Sequence, residues 1–111
     1  MERQPLESDW KVYRKRVSEW RERYVAKKNQ EIIGLLTDEG KTPTEQFWEA
    51  KRQIEEEARV LADCLDNHSR SKMQWNLFLM HRHGLVGDED LEEFGAELRD
   101  RVLWSSREVI G

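Results

Sequence analysis

Apolar residues recur along this chain at helical rather than alternating spacing. Trp10, Tyr13, Val17, Trp20 and Tyr24 follow one another at intervals of three and four. This is the a/d pattern of a coiled-coil-like seam, and its projected directions span only about 80°. The seam lapses at Lys27, and apolar content resumes at Ile32, Ile33, Leu35 and Leu36 around Gly34. Ser8 or Asp9 suits an N-cap. The pattern predicts one long helix to about residue 36, weakest near Asn29, in preference to two shorter helices meeting there. Thr37–Lys41 reads as a loop that turns at Gly40.

Thr42-Pro43-Thr44-Glu45 is the clearest local signal: a capping threonine, a proline at the first helical position and a glutamate that closes a capping box. The helix it starts places Phe47, Ile54, Ala58, Leu61 and Leu65 on a narrow stripe and is expected to run to about Asp66, with Asn67 as terminator. Ser71 and Gln74 predict a second capping box, opening a helix over 71–83. Met73, Leu77 and Met80 fall on one side of that helix, and Trp75, Phe78 and Leu79 on the other. A helix apolar on both sides is normally covered on both, so this segment is expected at the centre of the fold. Gly84 suits a left-handed C-cap with Leu85 returning onto the helix. Gly87 then opens a last helix, with Val86 and Leu91 as a hydrophobic staple and Asp88, Glu89 and Asp90 in its first turn. Leu91, Phe94, Leu98 and Val102 share one stripe of it, while Leu103 and Trp104 point elsewhere. The expected fold is an all-α small bundle of four helices, or five if the first breaks at Asn29. It forms a single domain over residues 1–111, with 1–7 and 105–111 frayed.

Composition narrows the class further. Of 111 residues, 38% are charged and 37% hydrophobic, with two prolines, which suits charged helices over a sheet. One cysteine, Cys64, rules out an intrachain disulfide. Residues 1–16 hold no apolar core of a signal peptide, and no apolar run is long enough to span a bilayer, so a soluble cytoplasmic protein is expected. The net charge of −4 hides an alternation. The balance is +4 over residues 1–30, −6 over 31–66, +3 over 67–83 and −5 over 84–111. Alternating signs suit neighbouring helices that attract weakly, although surface pairs are individually worth little.

Catalytic constellations are poor. No phosphate-cradling glycine loop or activated-serine signature accompanies the three histidines, so a non-enzymatic protein is expected. Cys64, His68, His81 and His83 have no specific metal spacing, and helix-end histidines serve the last carbonyls, so neither metal nor cofactor is expected. The Gly84–Phe94 hairpin lacks calcium ligands before it, and its helix is too acidic to read DNA.

Two binding readings remain. Five tryptophans are several times ordinary usage, and Trp, Tyr and Arg anchor protein interfaces. The first-helix seam is longer than a short partner helix covers. Trp10, Tyr13, Arg14, Val17, Trp20, Arg21 and Tyr24, with Trp48 and Trp104 off their stripes, are therefore the candidate partner-binding residues. The opposing possibility is that the second helix simply lies along the seam. The favoured expectation is an adaptor or small inhibitor that binds another protein and pairs with itself as a homodimer. The alternative is a nucleic-acid-associated regulator using Lys11, Arg14, Lys15 and Arg21, although these cations scatter around the helix instead of forming one stripe.

Overall fold

The capping box at Thr42 forms as its spacing predicts. The Glu45 amide donates to Thr42 Oγ1 at 3.1 Å, and the Thr42 amide donates to the Glu45 carboxylate at 2.9 Å. A computed structural model describes residues 6–65 and 69–110, with side chains through Ser105. It is all-α: α1 (Glu7–Leu36), α2 (Pro43–Leu65), α3 (Met73–His83), α4 (Asp88–Leu91) and α5 (Ala96–Ile110), with a 3₁₀ turn at Arg70–Lys72 before α3. The expected terminator, Asn67, lies outside the described residues. α1 is unbroken at Asn29. An asparagine costs a helix well under ~1 kcal/mol, and the Lys28–Glu31 ion pair straddles it.

The molecule is elongated, 56 × 30 × 23 Å, because its core occupies only one end. That base joins Tyr13, Val17, Trp20 and Tyr24 of α1 to Cys64 of α2 and to Met73, Leu77 and Met80 of α3. Leu85, Val86, Leu91, Phe94, Leu98 and Val102 complete it. α3 packs against both α2 and α5. Gly84 closes α3 at φ 90°, with the Leu85 amide donating to the Met80 carbonyl at 2.8 Å. From the base, the distal halves of α1 and α2 project as an antiparallel arm.

Several expectations are corrected. The first-helix seam is internal: Tyr13 and Trp20 are each 1% exposed, and Val17 and Tyr24 are also buried. No single partner helix covers it. Trp20 meets Phe94 ring to ring at 6.2 Å, Tyr13 accepts a hydrogen bond from Asn76, and Tyr24 donates to Glu57. Asp9 is not an N-cap. α1 begins at Glu7, and the buried Asp9 carboxylate instead accepts from the Gly95 amide at 2.8 Å. The box expected from Ser71 and Gln74 gives way to the 3₁₀ turn, where Ser71 Oγ pairs with Ser69 Oγ. The last helix is two helices, because the chain breaks after Leu91 and restarts at Ala96. Thus the fifth helix comes from Gly95 and not from Asn29, and α5 runs to Ile110. α3 is covered on both sides as expected, since Met73, Leu77 and Met80 on one side and Phe78 on the other are buried and Leu79 packs against the core, and of its apolar side chains Trp75 alone is exposed. The α2 stripe divides: Leu61 and Leu65 pack against the core, whereas Phe47, Ile54 and Ala58 are exposed.

Truncating the core is expected to separate cleanly from truncating the surface. Trp20→Ala should cost about 3–5 kcal/mol and Leu77→Ala about 2–5, whereas the exposed Trp104→Ala should stay within about 0.5. Denaturant unfolding followed by far-UV circular dichroism measures all three.

Candidate interaction surface

The arm is held together by polar contacts. Across it, Tyr24 Oη donates to Glu57 Oε1 and Lys28 lies 3.4 Å from the same carboxylate, which Gln53 Nε2 braces from one turn earlier in α2 at 2.7 Å. Toward the tip, Gln46 Nε2 donates to the Asp38 carbonyl at 2.8 Å and Lys41 pairs with Glu49. Burial, and then the Glu57 carboxylate, raise the Tyr24 hydroxyl far above its ordinary range, which keeps it a donor. The contact line of α2 is therefore Gln46, Ala50, Gln53, Glu57 and Cys64. Its apolar stripe lies about 100° further round the helix.

That rotation leaves apolar side chains in solvent. Phe47 is 58% exposed, Trp48 56%, Ile54 51%, Ile33 50% and Leu36 47%. Helix geometry decides which of them share a face. Viewed from the base, α1 turns clockwise as it recedes and α2 turns anticlockwise as it returns. A stripe displaced about 90° along the chain sense from each contact line then falls on one side of the arm. Ile32 and Leu36 of α1 and Phe47 and Ile54 of α2 meet this condition. Trp48 and Ile33 point outward, and Trp48 is braced by the Phe47 ring at 5.0 Å and by Lys51 Nζ at 5.7 Å. Nothing short of the tertiary contact line shows that this stripe is open, because in sequence it reads as ordinary core.

The other face of the hairpin is fastened to α4 and the turn before it. Arg23 donates to both Asp90 oxygens, at 2.7 and 3.2 Å, and to the Leu85 carbonyl at 2.8 Å. Arg16 reaches Glu93 at 3.0 Å. Asp90 also accepts from the Gly87 amide at 2.7 Å.

Of the residues singled out from sequence, Tyr13, Val17, Trp20 and Tyr24 are core, and Trp10 is half-buried and stacked on Tyr13 at 5.7 Å. Trp48 and Trp104 are exposed. They sit on different elements, the arm and α5. Lys11, Arg14 and Lys15 are exposed, while Arg21 is half-buried and bonded to Ser18 and Glu22. Of the other α1 cations, Arg16, Arg23 and Lys28 are paired with carboxylates and Lys27 is exposed. The residues missed from sequence as contact candidates are Phe47, Ile54, Ile32 and Leu36.

Chemistry is sparse. Burial pushes the Cys64 thiol up to about 11, so it stays protonated at neutral pH. His81 Nε2 lies 2.6 Å from Asp88 Oδ1, a local pair at the end of α3. His68 lies outside the described residues, and among those described no three His, Cys, Asp or Glu side chains converge as a metal site. The cleft between Leu35, Lys41, Glu49 and Arg52 holds about 350 Å³ but is open and lined mainly by charge, unlike the apolar enclosures that grip small molecules.

Acid should loosen the α1–α4 junction. Burial pushes the Asp90 carboxyl up, but hydrogen bonds from Arg23 and the Gly87 amide outweigh it and hold the pKa below the ordinary aspartate value. A depressed folded-state pKa contributes stability above the unfolded value, and that stability is lost as pH falls through the folded one. Thermal melts across the acid range are expected to show this loss. Asp90→Asn should lower stability at neutral pH by about 1–3 kcal/mol and weaken the acid dependence. An unchanged acid slope in the variant would assign the loss to other carboxylates.

Set against known proteins, the chain stands by itself: no family model, no curated protein and no solved structure matches it.

Proposed function

We infer that this chain is a non-enzymatic protein-binding module whose contact surface is the open apolar face of the α1–α2 arm. The supporting observation is the outward stripe of Phe47 and Ile54 beside Leu36, each about half-exposed on the paired helices of the arm. Together with Ile32 and neighbouring side-chain stems they leave apolar surface on the order of 400 Å², a size that commonly marks interaction sites. Aromatic anchors ringed by charge are the residues from which binding hot spots are made. Occupying a partner's surface without chemistry suits an adaptor or a small inhibitor. The surface has moved from the first-helix seam to the arm, since the seam is consumed by the core.

Affinity capture with the tagged full chain from its native cells tests this reading. A partner held by the arm is expected to be lost at least ~10-fold on Phe47→Glu with Ile54→Glu, a cost of at least ~1.4 kcal/mol. It should survive Lys11→Ala, Arg14→Ala and Lys15→Ala. The opposite pattern, with nucleic acid recovered alongside and released by salt, would instead favour the basic outer face of α1.

A further inference from the structure

The open face of the arm repeats with the period of helix packing. On α1 it consists of Val25, Asn29, Ile32 and Leu36, and on α2 of Phe47, Lys51, Ile54 and Ala58. Both sets are spaced four, three, four, the heptad a/d repeat of helices that pack side by side. Neither seam is the contact line of the arm itself, which runs through Tyr24, Lys28 and Leu35 on one helix and Gln46, Ala50, Gln53 and Glu57 on the other. Each helix of the arm thus has a second seam, and the two lie on one side.

We propose that this side is a two-fold interface with a second copy of the same chain, in which two arms pack face to face as a four-helix bundle. This deepens the reading of the arm as an interaction surface and rests on it. A heptad face needs helical partners of the same period, and a second arm brings two of them at the matching spacing. The area also fits. A stable pair covers about 800 Å² on each partner, of which about 500 Å² is apolar in a homodimer. The two seams, with the methylenes of Lys51, supply roughly 400–500 Å² of apolar surface. Charge does not oppose the contact, because the seam's one cation, Lys51, is paired with Glu55 one turn on. Asn29 and Lys51 are single polar breaks in otherwise apolar seams, the device by which helical bundles set register and oligomer number at some cost in stability.

Light scattering after size exclusion on the purified full chain reads the result directly. At high micromolar concentration the wild type is expected at about twice 13.4 kDa. Phe47→Glu with Ile54→Glu should return it to the monomer mass, with helicity unchanged because both side chains are exposed. Asn29→Leu should tighten the pair at least ~10-fold by removing a polar break from the seam. A wild-type monomer at that concentration overturns the second copy. It leaves the arm reading intact if capture of another protein still depends on Phe47 and Ile54, and removes both if it does not. A dimer that survives the double substitution also overturns the proposal, since its contact then lies elsewhere.

Discussion

The base of this protein depends on burying one aromatic seam. Tyr13, Val17, Trp20 and Tyr24 put four consecutive turns of α1 in contact with every other layer of the base. Large aromatics contribute most of the area available to a core of this size, and here they also set the order of the packing. Tyr13 faces α3 through Asn76, Trp20 faces the chain after α4 through Phe94, and Tyr24 faces α2 through Glu57. The seam serves three neighbours because its residues lie on one line while the elements that meet it cross that line at different heights.

Charge then fixes what the seam leaves adjustable. The basic first segment meets the acidic last one through Arg23–Asp90 and Arg16–Glu93, and the acidic second segment through Lys28–Glu57. Exposed pairs of this kind contribute little singly. Arg23 is different, since it ties both oxygens of Asp90 and the Leu85 carbonyl into one fork, and bidentate geometry adds direction to energy. Asp9 performs the matching task at the other end of the same junction. By accepting the Gly95 amide it stabilises the break between α4 and α5, so that Phe94 and Leu98 can enter the core from two helices.

Beyond Tyr24 the logic of the chain changes. The contact between α1 and α2 becomes polar, and the apolar positions of both helices move off it by about a quarter turn. A hairpin stabilised only internally would place Phe47 and Ile54 on the contact line and Gln53 and Glu57 in solvent. Here the order is reversed, and the same side chains are available for contact with another molecule. The base supplies the packed anchor, and the arm carries the surface.

Local rules written in neighbouring residues were legible from the start: the Thr42–Glu45 box, the left-handed Gly84, the continuity of α1 and the all-α class. Each depends on hydrogen bonds or dihedrals within a few residues. The break at Gly95 was not legible, because the group that stabilises it, Asp9, lies far away along the chain. The candidate site was misread for a related reason. Periodicity identifies which side chains share a face but cannot say which of several apolar faces will be covered. Two stripes looked alike in sequence, the α1 seam and the α2 stripe. The first was covered because α3, α4 and α5 fold back over it. The distal part of the second stayed open because none of the described residues covers that face of the arm, and its own hairpin partner meets it along a polar line. Which faces exist follows from spacing along the chain, and which of them is free to bind is settled only when the helices dock.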